Sequence, residues 1–65
     1  MLNYITQALD QKLGVTLHLS TGQSLDIRTV KSTSATTIEC ESSSSSSLYL
    51  VRLDAIIFVE TNRII

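Results

Sequence analysis

Two neighbouring segments near the end of this 65-residue chain set the strongest constraint on what it can fold into. Leu48-Tyr49-Leu50-Val51 and Ile56-Ile57-Phe58-Val59 are apolar at every position, and Arg52-Leu53-Asp54-Ala55 separates them. Successive residues of a strand point to opposite sides, so such strands carry apolar groups on both faces of a sheet. One face can pack on the domain's own core. A chain this short forms one small domain and has no second layer to cover the other face. Left bare, such edges and patches aggregate. Pairing with neighbouring copies satisfies the edge hydrogen bonds and hides the apolar area in one step. At about 25 cal/mol per Å², a few hundred Å² hidden per contact contributes several kcal/mol before association costs. That is comparable with the whole stability of a small domain. The expectation is a homo-oligomer whose interface is built from Leu48, Tyr49, Leu50, Val51, Ile56, Ile57, Phe58 and Val59.

Composition removes the other usual means of stabilising so small a domain. A chain of this size buries only about 60% of the surface it exposes when unfolded. Disulfides, a metal or oligomerisation normally compensate. With Cys40 as the only cysteine and His18 as the only histidine, neither an intramolecular disulfide nor a Cys/His zinc site can form. No metal and no other cofactor is expected. Hydrophobic residues make up 43%, an ordinary globular value that argues against wholesale disorder. The net charge of −1 lacks the basic face of a protein that grips duplex nucleic acid by bulk charge. The longest apolar run, Ala55 to Val59, is far short of a membrane span. The first residues lack the basic segment and long apolar stretch of a signal peptide, so a cytoplasmic location is expected.

Periodicity predicts a mainly β domain over residues 1–65, opened by one helix. Leu2, Ile5, Leu9 and Leu13 fall on one stripe of a helix over residues 2–13, and Gly14 is placed to end it in a left-handed conformation. The period then changes to two. Val15, Leu17 and Leu19 face one way, and Thr16, His18 and Ser20 the other. Ser20-Thr21-Gly22-Gln23 is a turn with Gly22 free to take positive φ, and Leu25 and Ile27 resume the alternation. The predicted strands cover about residues 15–20, 24–30, 35–41, 48–52 and 55–60, with Ile38 and Cys40 inward in the third. Lys31-Ser32-Thr33-Ser34 reads as a polar turn. The serine run at 42–47 offers no apolar surface, and its hydroxyls compete for backbone hydrogen bonds, so it reads as a flexible loop.

Signals for catalysis are poor, and no enzyme is expected. Gly14 and Gly22 are the only glycines, so neither a nucleophile elbow nor a phosphate-binding glycine loop is present. The carboxylates mostly occupy outward or turn positions. His18 lies on a polar strand face with no obvious orienting acid near it in sequence. Cys40 reads as a small buried hydrophobe.

A short helix followed by five short strands is the order found in the Sm-like family, which includes bacterial Hfq, and the likeness extends to residues. Val15-Thr-Leu-His-Leu-Ser-Thr-Gly22-Gln-Ser-Leu25 resembles the opening hairpin of the first Sm motif, with alternating aliphatics, a turn glycine and a further aliphatic. Val51-Arg52-Leu53-Asp54-Ala55-Ile56 resembles the second motif, an aliphatic-Arg-Gly-Asp/Asn segment joining the fourth and fifth strands. The serine run falls where the family tolerates length variation. The resemblance implies a five-stranded, strongly bent antiparallel SH3-like barrel. It also implies a ring of roughly five to eight subunits, closed by pairing the fourth strand of one copy with the fifth of the next. Its usual partner is single-stranded RNA, with bases held by loop residues repeated once per subunit.

The chain departs from the pattern at several positions. Lys31-Ser32-Thr33-Ser34 stands where an Asp or Asn is usual after the second strand. Leu53 replaces the second motif's glycine, and Tyr49-Leu50-Val51 replaces Hfq's Tyr-Lys-His. Arg52 matches a position that can stack on a base or meet a phosphate, and it can equally pair with Asp54 or a neighbouring carboxylate. The RNA-contact candidates are Arg52, Lys31, Ser32, Thr33, Ser34 and Asp54. Two functions stay open: a ring binding single-stranded RNA weakly or with altered specificity, and a ring serving as a structural or protein-interaction module. A monomeric SH3-like peptide binder is a third, although such barrels usually display groove aromatics, and only Tyr4, Tyr49 and Phe58 are present.

Overall fold

A computed structural model describes residues 1–63; the last two residues of the expected domain lie outside the described residues. Helix α1 (Leu2–Asp10) precedes strands β1 (Leu13–Leu19), β2 (Ser24–Thr33), β3 (Thr37–Ser42), β4 (Leu48–Arg52) and β5 (Ile56–Arg63). A 3₁₀ turn at Leu53–Ala55 joins the last two strands. All neighbours pair antiparallel, in the order β4-β3-β2-β1-β5. The fold is therefore mainly β, with one helix ahead of a five-stranded antiparallel sheet.

β4 and β5 are the two edges of this sheet, and they do not pair with each other. The sheet is open, and the expected barrel closure is absent from the strand pairing. It is nevertheless curved, for a geometric reason. Laid flat, edges four strand spacings apart would be about 19 Å distant. The three residues Leu53–Ala55 join them, and so short a link reaches roughly 14 Å between its flanking residues. The sheet must curl to let β4 run directly into β5. Register shifts in β2, between Ile27 and Thr29 and between Val30 and Ser32, supply local bends. The link is tied at both ends: Leu53 N–H donates to Thr36 O (2.8 Å), and Ser20 N–H to Ala55 O (2.8 Å).

The core lies inside this curl. Val15 and Leu17 from β1, Ile27 from β2, Ile38 and Cys40 from β3, Val51 from β4 and Ile56 from β5 are buried together. Ile5 and Ala8 of α1 close the cluster, with Leu2 and Leu9 packed at its margin.

Several boundaries differ from the periodicity reading. The helix ends at Asp10 rather than residue 13, and Lys12, not Gly14, takes the left-handed conformation (φ 62°). Leu13 and Gly14 instead begin β1, opposite Arg63 and Asn62 of β5. The sheet ladder has claimed residues that would have formed another helical turn. β2 runs on through Lys31, Ser32 and Thr33, so the β2–β3 turn shrinks to residues 34–36. Ser34 Oγ caps that turn, accepting from the backbone N–H of Thr36 (3.3 Å) and Thr37 (3.1 Å). Ser42 belongs to β3 and is buried, so the serine loop proper starts one residue later. β5 starts at Ile56 rather than Ala55 and continues to Arg63, because β1 offers partners up to Leu13.

Candidate functional site

Among the described residues, the two sheet edges carry most of the large exposed apolar side chains. On β4 these are Leu48, Tyr49 and Leu50, and on β5 Ile57 and Phe58, with Leu50 73% and Ile57 62% exposed. Val51 and Ile56 were expected at an interface, but they sit in the domain's own core. Val59 is half-buried against that core. The register explains the split. Directly opposed residues share a face. Tyr49 and Val51 stand opposite the buried Cys40 and Ile38, while Leu48 and Leu50 stand opposite Glu41 and Glu39 on the outer face. Beside β4 runs a groove of about 530 Å³, lined by Tyr49, Leu50, Val51, Leu19, Leu25 and Ala55, with Gln23, Ser24 and Arg52 as its polar members.

The residues expected to meet RNA form two groups. Arg52 Nη2 donates to Asp54 Oδ2 (2.8 Å), and both side chains are exposed. Arg52 faces Thr37 across the β3–β4 ladder, and Thr37 Oγ1 is hydrogen-bonded to Ser34 Oγ (2.7 Å). Ser34, Thr37, Arg52 and Asp54 thus gather at one end of β3. Lys31 goes elsewhere: its Nζ lies 3.9 Å from Glu41, which faces Leu48 at the far end of β3. Ser32 Oγ donates to Glu39 Oε1 (3.3 Å), and Thr33, exposed, lies opposite Ile38. The structure therefore does not bring Lys31 beside Arg52. Each cation has its own carboxylate partner, and such exposed pairs contribute about 0–1 kcal/mol.

A third cluster escaped the sequence reading. His18 Nε2 is 2.9 Å from Glu60 Oε1, and the imidazole stacks on Phe58. The pairs His18–Phe58 and Thr16–Glu60 share one face of the β1–β5 ladder, two rungs apart, with Leu17–Val59 between them. Hydrogen bonds from His18 and then Asn62 hold the Glu60 carboxyl below its usual range, with Asp26 opposing them. The orienting acid that seemed missing lies 42 residues away in sequence. Cys40 is buried, and burial, followed by the charge of Glu39, pushes its thiol pKa up. Such a thiol is inert packing, not a nucleophile.

No known protein family matches the chain, and no curated protein or solved structure is significantly similar to it.

Proposed function

We propose that this chain is the subunit of a homo-oligomeric ring of Sm-like architecture, a curved SH3-like barrel completed by its neighbours, which serves as a structural or protein-interaction module. The reading is carried by one observation: both edges of a single open sheet, β4 and β5, expose large apolar side chains. An edge strand of that kind is a template for another chain. Because the edges differ, pairing is head-to-tail, and such contacts close into rings when the rotation per subunit permits. Hiding one large apolar side chain contributes about 1.5–3 kcal/mol when burial is complete, and five such residues lie on the two edges. The motif resemblance at residues 15–25 and 51–56 supports the same architecture. Light scattering or sedimentation equilibrium tests it. The expected mass is a fixed multiple of 7.1 kDa; a single-subunit mass at high protein concentration overturns it.

A second reading, single-stranded RNA binding, is favoured by the exposed group of Ser34, Thr37, Arg52 and Asp54 at one corner of the domain. A ring would repeat that corner once per subunit, so that weak sites add up. Polarisation assays with short U-rich and A-rich oligomers at low salt distinguish the readings. Binding that Arg52→Ala weakens supports RNA recognition; no binding at tens of micromolar leaves the interaction module.

A further inference from the structure

The groove beside β4 holds about 530 Å³, inside the range of about 300–1,000 Å³ typical of small-molecule sites. We propose that it binds a small aliphatic carboxylate, with the apolar tail lying in the groove and the carboxylate meeting Arg52. The site is complete within one subunit. It goes beyond both readings above and needs neither the ring nor RNA.

The chemistry of the lining is one-sided. Six of the nine lining side chains are apolar, and all but Tyr49 of those six are aliphatic. The other three are Gln23, Ser24 and Arg52, and each offers N–H or O–H donors. No carboxylate lines the groove among the described residues. An apolar wall with a few convergent donors is the usual make-up of a ligand site. Here the donors and the single positive charge select an anionic head.

Those donors are largely free for a ligand. Gln23 accepts from Thr21 Oγ1 through its own side-chain oxygen (3.4 Å), which leaves its amide hydrogens. The Ser24 hydroxyl is exposed. Arg52 uses Nη2 on Asp54, and a guanidinium carries five N–H donors in a planar fork that matches a carboxylate.

Asp54 is the competitor for Arg52. Its carboxylate lies outside the groove lining, and both side chains of the pair are largely exposed, 74% and 69%. Exposed pairs of this kind contribute little, so an incoming carboxylate exchanges with Asp54 at small cost. The gain comes from the tail. Leu50 and Tyr49 form one wall and are themselves exposed, and Val51 beside them belongs to the core, so a tail in the groove lies on apolar surface that solvent now wets.

An NMR titration of the full chain with hexanoate, octanoate and decanoate tests the site, with 1-octanol as the uncharged control. Each added methylene should tighten binding about two- to fourfold, fourfold corresponding to full burial at about 0.8 kcal/mol. Octanoate should bind at least about tenfold tighter than 1-octanol, because its head makes charge-assisted hydrogen bonds. Shifts should centre on Gln23, Ser24, Arg52 and Ala55. Arg52→Gln should remove the preference for the acid over the alcohol, and Asp54→Asn should tighten octanoate by removing the competing carboxylate. Both residues are exposed, so neither change threatens the core.

Absence of binding up to about 10 mM octanoate overturns the proposal. So does equal affinity for octanoate and 1-octanol, or a set of shifts centred away from the groove. An acid preference that survives Arg52→Gln overturns the role of Arg52. A wild-type chain that is itself a single subunit overturns the assembly reading and leaves this site standing.

Discussion

His18 lies flat against Phe58, with ring centroids 4.2 Å apart and planes 12° from parallel. The two are direct partners across β1 and β5, and the same imidazole is hydrogen-bonded to Glu60. The stack thus fastens an early strand to the last one on the outer face of the sheet. Aromatic pairs contribute about 0.5–1.5 kcal/mol beyond area burial. A double-mutant cycle of His18→Ala and Phe58→Ala, read by urea unfolding, should show coupling of that size. Strict additivity would show that the rings merely lie side by side.

Glu60 gives the same cluster a pH signature. Its folded pKa lies below the unfolded value, through the hydrogen bonds from His18 and Asn62. The group therefore adds stability above the ordinary carboxylate pKa of about 4.3 and loses it as pH falls through the lower folded value. Glu60→Gln should flatten the acid limb of a Tm-against-pH curve below about pH 5 and leave the shape above it unchanged. An acid limb as steep as that of the wild type would remove Glu60 from this role.

The contrast between these residues and the hairpin shows what could be read from the chain. Alternation exposed Val15, Leu17, Ile27, Ile38 and Cys40 as core because each strand's faces are encoded locally. The φ of +90° at Gly22 follows from a four-residue turn signal. The His18–Glu60 contact was invisible because β1 pairs with the last strand, and long-range pairing leaves no local trace. The helix end was misplaced for the same reason: Leu13 fits the helical stripe, yet β5 recruits it into a ladder. The Arg52–Asp54 pair was one of two open readings of a motif resemblance, whereas Lys31 was carried off to Glu41 by the unforeseen extension of β2.

Leu17 has no solvent exposure and stands on β1, flanked by Leu25 of β2 and Val59 of β5. Leu17→Ala should cost about 2–5 kcal/mol, because the curled sheet cannot collapse into the cavity without moving both neighbours. For a domain of this size each kcal/mol is worth about 4–8 °C in Tm. A drop below about 5 °C in a calorimetric scan would mean that the core repacks freely.

Lys12 is the only non-glycine residue with positive φ among those described, at 62°. A side chain in that region costs roughly 1 kcal/mol, which glycine avoids. Glycine's looser unfolded chain offsets part of that gain. Lys12→Gly should therefore raise stability by about 0.5 kcal/mol in denaturant unfolding, whereas Gly14→Ala should bring no comparable penalty from backbone strain. Destabilisation by Lys12→Gly would show that the lysine side chain makes a contribution larger than the strain it carries.

Cys40 should behave as a buried neutral group whose ionisation opposes folding. Burial, and then the Glu39 charge, raise its pKa in the folded chain. A folded pKa above the unfolded one leaves stability intact below about pH 8.5, the ordinary thiol value, and lowers it as pH rises toward the folded value. The wild-type Tm should accordingly decline above about pH 8.5, and Cys40→Ala should lose part of that decline while being less stable at neutral pH through the cavity it creates. Alkylation provides an independent check. Because Cys40 has no solvent exposure, reagent reaches it only through opening of the β3 region, and iodoacetamide should label the native chain at least about a hundredfold more slowly than the urea-unfolded one. Equal labelling rates would place the thiol at the surface and detach it from the core formed by Leu17 and Ile38.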